Sequence, residues 1–474
     1  MKRIFVLIVT LFFVGCYVQG QSTYKDWMGK VGVRKWSVGK NNIIVRASGL
    51  IKDTAQYATK AIQKAIEDCA AKGGGIVSFK PGIYVTGALF LKSNVVLQVD
   101  KDVYLLASQH FEDYPKLRSR IAGIEMDWPS ALINIVDQKN AGVVGDGKIN
   151  ARGKFCWDKY WAMRKDYDKR GLRWIVDYDA ERVRTILVQN SSDVLLKGVQ
   201  LSNAGFWTVQ VLYSNHVTVE GIVIRNNVDG HGPSTDGIDI DSSEWVLVEN
   251  CDIDCNDDNF CLKAGRDWDG LRVNRPTQYV VIRNSVARRG AGLLTLGSET
   301  SGGIKHVYAY NLKAAKTDNG FRIKSATTRG GVLEDITLDG WLLDSVKTVF
   351  QCNLNWYPAY SYSGIPKGYT EETMPEHWKT MLKKVERVSK GIPHVTGIVL
   401  QNIKATNSGV LLDVNGLDSS LIGNVTLLNS FFGVNSIGSI QYYNNWEFKN
   451  IDIKLASISK LQSVLSEEER ERLK

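Results

Sequence analysis

The strongest constraint on how this chain can fold is a repeat in which Val or Ile, within a short apolar segment, is followed four residues later by Asn or Gly. The pattern occurs eight times, at Val194 and Gly198, Val217 and Gly221, Val246 and Asn250, Val280 and Asn284, Val307 and Asn311, Ile336 and Gly340, Ile398 and Asn402, and Val425 and Asn429. Successive anchors lie 23, 29, 34, 27, 29, 62 and 27 residues apart. Most of these intervals are typical of solenoids built from stacked units. The interval of 62 is either two units or one unit with an insertion.

The repeat units have the character of strands. Each contains β-branched residues in period-two alternation, as in residues 216–220, and turns at Asn or Gly, where left-handed backbone is accessible. No helix pattern separates the segments, which excludes βαβ units, and neither the hairpin turns of a sandwich nor the even blade period of a propeller is evident. The pattern therefore predicts an all-β chain of parallel β-helix coils, hydrogen-bonded to one another about 4.8 Å apart.

One convincing helical segment precedes the coils. It spans residues 53–71, contains a run that includes Ile62 and Ile66, and ends near the three glycines at 73–75. An open solenoid end exposes core residues and strand edges, so we expect this helix to cap the first coil.

The first twenty residues have the pattern of an export signal. Lys2 and Arg3 precede an apolar stretch over residues 4–14, and small residues lie near a plausible cleavage site after Gly20. We therefore predict a signal peptide over residues 1–20.

The remaining residues, 21–474, are predicted to form one β-helix domain that is exported to the periplasm, the cell surface or the medium. Cleavage before Cys16 is an alternative that would give a lipoprotein. No later stretch approaches the roughly 18 apolar residues that cross a bilayer. The formal charge of +9 suits an anionic partner, but no recognition helix, zinc finger or basic run with aromatic residues indicates nucleic acid. We expect a monomer.

Six cysteines remain once Cys16 is removed, and Cys251, Cys255 and Cys261 lie within eleven residues. An exported protein can form disulfides, and buried thiols are the alternative in a large core. The cysteine spacing does not match a zinc site and no histidine is close in sequence. We predict neither a metal nor an organic cofactor.

Acidic and basic residues lie past the same strand on neighbouring coils. Asp236 follows Val217 by 19 residues, Asp257 and Asp258 follow Val246 by 11 and 12, and Arg322 and Lys324 follow Val307 by 15 and 17. Because stacked coils bring such positions together, we expect these five residues on one face, across about 15 Å.

This combination fits the hydrolysis of a glycosidic bond. The reaction needs a carboxylic acid to protonate the leaving oxygen and a carboxylate to activate water, about 6.5 to 9.5 Å apart in an inverting enzyme. Crowded carboxylates raise one another's pKa, which keeps one of them protonated. Ordinary polar turns around Asp236 and Asp257 are the alternative.

At these residues the chain resembles glycoside hydrolase family 28, the polygalacturonase-like enzymes, whose fold is a single-stranded right-handed parallel β-helix. The resemblance extends from about Ile44 through the last coils. The family motifs N-T-D-G, D-D and R-I-K correspond here to Ser234-Thr235-Asp236-Gly237, Asp257-Asp258 and Arg322-Ile323-Lys324. Gly297-Ser298-Glu299, followed by Gly302-Gly303, is similar to exo-acting members.

The resemblance implies a role for each of these residues. Asp257 would be the general acid, and Asp236 and Asp258 would hold and deprotonate the water. Arg322 and Lys324 would bind a galacturonate carboxylate, which agrees with the preference of a guanidinium and an ammonium for a sugar acid. Inversion of the anomeric configuration is also implied by the family.

One position departs from the family pattern. Where the family has G-H-G, this chain has Ala291 between two glycines, at the same distance past its anchor as Asp257. The missing imidazole brings activity on plain polygalacturonate into question. Two hypotheses are that His231, five residues before Asp236, supplies a substitute imidazole, or that alanine admits another sugar such as rhamnose.

The long interval after Ile336 contains an aromatic stretch that includes Trp356 and Tyr357. Aromatic side chains stack on sugar faces, and a bulky loop here would close one end of a groove and make the enzyme exo-acting. Local packing is the alternative. Family members also have an active-site tyrosine after R-I-K; we assign Tyr357 to substrate binding, with Tyr360 and Tyr362 as alternatives.

The sequence thus predicts an inverting exo-α-galacturonosidase of the cell-wall polysaccharide pectin, acting on homogalacturonan or rhamnogalacturonan. The alternatives are a rhamnogalacturonan hydrolase of different cleavage specificity, a β-helix polysaccharide lyase and, because of Ala291, an inactive pectin-binding protein.

Overall fold

The computed structural model describes residues 25–45, 57–361 and 364–456. The chain winds through coils of short parallel strands, and these strands stack into three sheets around one apolar core. We call the sheets A, B and C, in the order in which each coil visits them.

Each strand pairs with the equivalent strand of the next coil. Sheet A contains Asn41–Val45, Gly75–Phe79, Val95–Gln98, Lys139–Val144, Ser192–Lys197, Asn215–Glu220, Glu244–Glu249, Thr277–Arg283, Ile304–Tyr310, Val332–Asp339 and His394–Gln401. Sheet B contains Gly82–Thr86, Val103–Ala107, Lys148–Asn150, Gln200–Ser202, Val223–Arg225, Asp252–Asp254, Val286–Ala287, Lys313–Ala315 and Leu342–Asp344. Sheet C contains Leu89–Phe90, Ile133–Val136, Ile186–Gln189, Val209–Leu212, Ile238–Asp241, Asp258–Lys263, Gly292–Gly297, Asn319–Lys324 and Thr348–Asn353.

The last coils contain longer strands that run from one sheet into the next. Lys404–Asn415 runs from B to C, Ile422–Gln441 runs through A, B and C, and Tyr443–Leu455 runs from A to B. A separate antiparallel hairpin, Lys116–Ile121 and Ile124–Pro129, lies outside the three sheets.

The eight anchors of the sequence repeat lie in register in sheet A. Each pairs with the next, from Val194 through Val425, and all eight are buried. The Asn or Gly four residues after each anchor has a positive φ, between 50° and 81°. Ile336 pairs directly with Ile398, so the interval of 62 residues is one coil with an insertion. The predicted parallel β-helix is confirmed.

In the described part of the chain, six α-helices and three 3-10 helices accompany the strands. The α-helices are α1 (Thr59–Ala71), α2 (Lys154–Lys169), α3 (Val176–Asp179), α4 (Asp267–Val273), α5 (Glu376–Leu382) and α6 (Val388–Gly391), and the 3-10 helices are Asp26–Lys30, Phe111–Asp113 and Pro358–Tyr360.

Helix α1 is the capping helix expected over residues 53–71, of which 53–56 lie outside the described residues. It buries Ile62 and Ile66 against the first coils. The expectation of only one convincing helix is wrong, because α2 has 16 residues. Its buried side chains, Cys156, Trp157 and Tyr160, span little more than one turn, so the apolar periodicity is too short to indicate a helix.

Three insertions gather over sheet C and form a second apolar cluster. They are the hairpin, the segment with α2 and α3, and the segment between Asn353 and His394 with α5 and α6. The cluster contains Ile121, Trp128, Trp174, Phe206 and Trp378 among its buried side chains. The insertions therefore pack on one another and on the outer face of sheet C.

The cysteines in the described part of the chain are all buried free thiols, at 69, 156, 251, 255, 261 and 352. No helix of that part is both long and apolar enough to cross a membrane. The predicted signal peptide over residues 1–20, with Cys16, lies outside the described residues.

Candidate active site

Four consecutive rungs of sheet C form the floor of the candidate site. They are the strands Ile238–Asp241, Asp258–Lys263, Gly292–Gly297 and Asn319–Lys324, each in register with the next. Because strand side chains alternate, every second residue points away from the core. Two outward rows result: Asp239, Cys261, Thr295 and Arg322 form one, and Asp241, Lys263, Gly297 and Lys324 form the other.

Asp236 lies just before the first of these strands and is held through its backbone. Its carbonyl oxygen accepts hydrogen bonds from the N–H and the Oγ1 hydroxyl of Thr208, at 2.9 and 2.7 Å. The N–H of Gly237 donates to the carbonyl of Asp258 on the next coil, at 2.9 Å. A Cβ at position 237 would lie 2.4 Å from the carbonyl oxygen of Asn259, so only glycine allows this close approach.

Asp258 is fully buried and surrounded by donors. Its Oδ2 accepts a hydrogen bond from Nζ of Lys324 at 2.7 Å, and its Oδ1 accepts one from the hydroxyl of Thr295 at 2.6 Å. Arg322 lies 3.8 Å from the same Oδ1. The N–H of Asp258 donates to Oδ1 of Asp257 at 3.0 Å, which orients the neighbouring carboxylate.

The three carboxyl groups differ in pKa. Burial and the charge of Asp239 raise the pKa of Asp236 well above its usual value, and burial and the charge of Asp258 raise that of Asp257. Burial opposes the ionisation of Asp258, but Lys324 and the neighbouring cations outweigh it and hold its pKa at about 2. The site thus combines an ionised carboxylate with two carboxyls that keep a proton more readily.

These residues open into one pocket. Asp257 is partly exposed to it, whereas Asp236 and Lys324 are nearly buried in its floor. The lining consists of Ala122, Arg173, Asp177, Trp207, Ser234, Asp236, Asp257, Lys263, Ser298, Glu299, Lys324, Trp356 and Tyr360.

The walls of the pocket come from all three insertions. Ala122 lies at the turn of the hairpin, Arg173 and Asp177 come from the segment with α2 and α3, and Trp356 and Tyr360 come from the segment that follows Thr348–Asn353. The Trp356 ring lies 4.9 Å from Nζ of Lys324 and 5.6 Å from Cζ of Arg322. It therefore borders both basic residues of the R-I-K motif.

Two residues predicted for substrate binding lie outside this lining. His231 is on an exposed loop, with Nε2 3.6 Å from a carboxylate oxygen of Asp158 and its ring against Trp161. Tyr357 is also exposed, and its hydroxyl accepts a hydrogen bond from Arg164 at 3.4 Å.

Among the alternatives to Tyr357, Tyr360 lines the pocket, and Tyr362 lies outside the described residues. The missing family imidazole is replaced here by the small Ala291, whose N–H donates to the carbonyl of Asp257 at 2.9 Å. The stack therefore brings position 291 beside Asp257, as the sequence distances predict.

Sequence reasoning missed several residues of the pocket. Lys263 follows Val246 by 17 residues, the same distance by which Lys324 follows Val307, so this repeat position was available as a signal. Arg173 and Asp177 lie in an insertion that shares no position with the repeat, and no sequence signal indicates them.

One group of side chains has the proximity of metal ligands. Asp236, Asp258 and Cys261 offer ligand atoms within 4.8 Å of one another. Asp258 is already paired with Lys324, and Lys263 lies 3.7 Å from Asp236, so these positive charges oppose a further cation. We therefore assign no metal to the group.

Clustered carboxyl groups of different pKa, beside cations in a pocket, are what acid–base hydrolysis of a glycosidic bond requires. The family model for glycosyl hydrolases family 28 matches residues 87–355, more than half of the chain. The protein belongs to this family.

Individual relatives agree with the assignment. The chain is 28% identical to a probable polygalacturonase of Vitis vinifera over 75% of this chain and 72% of the relative. It is 31% identical to an exo-poly-α-D-galacturonosidase of Dickeya chrysanthemi over 58% of this chain and half of that enzyme. An exopolygalacturonase structure from Thermotoga maritima superposes with a TM-score of 0.75 at 22% identity, over 90% of this chain and 95% of that one. These likenesses confirm the expected right-handed parallel β-helix.

Proposed function

We propose that this protein is an inverting exo-α-galacturonosidase that acts on a pectic polysaccharide, homogalacturonan or rhamnogalacturonan. The observation that carries the proposal is the pocket in which Asp236 and Asp257 lie beside Lys324, with Asp258 directly beneath them. The name of the Dickeya relative supports the same activity.

Each carboxyl group has a proposed role. Asp257 is the general acid, since its raised pKa keeps a proton and its partial exposure lets it reach the glycosidic oxygen. Asp236 and Asp258 hold and deprotonate the water. The low pKa of Asp258 keeps it ionised, which supports holding the water, and the raised pKa of Asp236 makes that carboxylate the stronger base.

The substrate carboxylate is proposed to bind Arg322 and Lys324. The Arg322 side chain is 13% exposed, so part of its guanidinium group can contact an incoming acceptor. A guanidinium and an ammonium side by side suit a carboxylate. Trp356, beside both cations, offers an aromatic face for the sugar ring.

The pocket walls support exo action. A polysaccharide that is cut internally must extend past the site in both directions, whereas the insertions that carry Ala122, Arg173 and Tyr360 enclose the floor. We propose that they admit only a chain end. The small side chain of Ala291 leaves room for a second sugar type, such as rhamnose, next to galacturonate.

Export and assembly are further parts of the proposal. Residues 1–20 act as a signal peptide, or the chain is cleaved before Cys16 and lipidated, and the mature protein is a monomer. The mass and the N-terminus of the exported protein distinguish the two cleavages. A polymeric substrate outside the cell is consistent with export.

Product analysis on homogalacturonan and rhamnogalacturonan oligomers tests the function. We expect monomeric galacturonate from the first time points and no unsaturated product absorbing in the ultraviolet. Products of mixed size from the start contradict exo action, and ultraviolet-absorbing products indicate a lyase. Binding without turnover, unaltered by Asp257→Asn, contradicts the hydrolase.

A further inference from the structure

A buried lysine lies beneath the proposed water-activating residue. The Lys263 side chain is 4% exposed, and its Nζ lies 3.7 Å from Oδ2 of Asp236, 3.6 Å from Oδ1 of Asp239 and 3.2 Å from Oε2 of Glu299. The Trp207 ring lies 4.7 Å from the ammonium group. One ammonium group therefore contacts three carboxyl groups.

Asp239 is the least satisfied of these three groups. It is fully buried, and neither carboxylate oxygen has a hydrogen-bond partner among the described residues. Glu299, in contrast, accepts hydrogen bonds from Lys263 at 3.2 Å and from the hydroxyl of Ser298 at 3.1 Å. An ionised carboxylate without donors is unfavourable in such a buried place, so a proton on Asp239 stabilises the cluster.

Other charged groups around Asp239 either favour its protonated form or are already paired with an opposite charge. Asp241, on the same strand, is paired with Arg120 of the hairpin at 2.9 Å. On the next strand, Asp258 is paired with Lys324 and the Cys261 thiol is buried with a raised pKa. The neighbouring strand on the other side offers the uncharged Gln210. Lys263 is thus the cation that contacts both Asp236 and Asp239.

We propose that Asp239 and Lys263 are positioning residues that set the charge of Asp236 from beneath: Asp239 keeps its proton, which leaves the Lys263 ammonium to favour the ionised form of the Asp236 carboxylate. The inference rests on the proposed function, in which ionised Asp236 helps to activate water. Burial and the neighbouring carboxylates raise the pKa of Asp239 well above its usual value, in agreement with a retained proton.

The test is the pH dependence of kcat/KM for two full-length variants on a galacturonate oligomer. Asp239→Asn keeps a neutral side chain in place of the protonated carboxyl, so the acidic limb of the profile stays at its wild-type pH. Lys263→Met removes the counter-charge, so the same limb moves to higher pH. A substitution that only weakens the fold reduces activity without moving the limb.

Asp193→Asn is the matched control, because Asp193 is also buried but is paired with Arg34 on sheet A. It leaves the profile unchanged. An unshifted limb in Lys263→Met contradicts the proposal. If Lys263→Met does not fold, a limb that moves to lower pH in Asp239→Asn contradicts it, because that shift shows that Asp239 is ionised.

A second readout is independent of catalysis. Because folded Asp239 binds its proton more tightly than the unfolded chain does, wild-type stability falls as pH rises above the ordinary aspartate pKa. The Tm difference between Asp239→Asn and wild type therefore shifts in favour of the variant between about pH 4 and 7. For Asp193, whose pKa is lowered by Arg34, the shift has the opposite sign. If wild type hydrolyses no pectic oligomer, the proposed function is wrong. The inference about Asp239 and Lys263 is contradicted separately, by a Tm difference that does not change with pH.

Discussion

The rungs of sheet C and the three insertions above them contribute different things to the pocket. The rungs and the turns that lead into them carry Asp236, Asp257, Asp258 and Lys324, the groups with the proposed chemistry. The insertions carry mainly wall residues, of which Ala122, Asp177 and Tyr360 are buried. The comparison teaches that the repeated coils bring the reactive groups together, whereas the irregular insertions determine how much of a polysaccharide can reach them.

The two regions are nevertheless locked together by a buried arginine. Arg266 follows the rung Asp258–Lys263 directly, and its guanidinium lies 4.3 Å from the Tyr360 ring and donates to the Tyr360 carbonyl. It also donates to the hydroxyl of Tyr178 at 2.8 Å. The wall is therefore tied to the floor at a fixed point.

The largest expected effect is on the floor. Asp257→Asn removes the proposed acid and should lower kcat by about a thousandfold, within the usual range for general acid catalysis. Far-ultraviolet circular dichroism and Tm should stay close to wild type. Asp318→Asn, an exposed aspartate two coils further along sheet C, is the matched control and should retain activity. A loss of less than tenfold in kcat for Asp257→Asn contradicts the proposal that the floor carries the reactive groups.

The next largest effect concerns stability. Lys324→Met leaves Asp258 buried without its 2.7 Å partner and should lower the free energy of unfolding by about 3 kcal/mol, measured by denaturant titration near neutral pH. Because the folded pKa of Asp258 is depressed to about 2, its contribution is present above the ordinary aspartate pKa and is lost as pH falls toward 2. The loss in Lys324→Met should shrink accordingly in acid.

Lys347→Met is the matched control for that substitution. Lys347 pairs with Asp318 at 2.5 Å, but its side chain is 77% exposed, so its removal should leave Tm nearly unchanged. Equal losses for the two lysine variants contradict the buried pair as a source of stability.

An intermediate effect should come from the wall. Tyr360→Ala opens the pocket while leaving the carboxyl groups in place, so KM for a trigalacturonide should rise about tenfold with little change in kcat. Products longer than the monomer should appear, because the oligosaccharide can then extend past the site. Unchanged KM and unchanged products would place the wall outside substrate recognition.

The smallest effects are expected for the two predicted residues outside the lining. His231→Ala and Tyr357→Phe should keep kcat/KM within about twofold of wild type, because both side chains face the surface. A large loss in His231→Ala would instead support this histidine as a substitute for the imidazole missing at Ala291.

The sequence was most informative where each coil repeats the last. Val217 and Val246 pair directly, and strand alternation then fixes which residues face outward, so the meeting of Asp236 with Asp258 followed from counting. The same counting reaches Lys263. Its partner Asp239 pairs with the uncharged Gln210 and Cys261 on the neighbouring coils, and only the coordinates reveal its unsatisfied oxygens.

The insertions were beyond this reasoning. Their positions depend on packing among side chains far apart in sequence, such as Trp174 against Trp378, with ring centroids 5.6 Å apart. Nothing in the local pattern around Tyr357 and Tyr360 distinguishes the exposed ring from the buried one. Contacts with Arg266 and the surrounding apolar cluster determine which ring is buried, and the sequence repeat does not indicate these contacts.

The structure of Asp257→Asn with a bound trigalacturonide tests the central claim most directly. We predict that the non-reducing terminal sugar lies among the floor residues, with its glycosidic oxygen at hydrogen-bond distance, about 3 Å, from Asn at position 257. A galacturonate carboxylate should contact Arg322, and Tyr360 should block further chain. A trigalacturonide that crosses the site without meeting the insertions, or binds away from Asp236 and Asp258, contradicts the account.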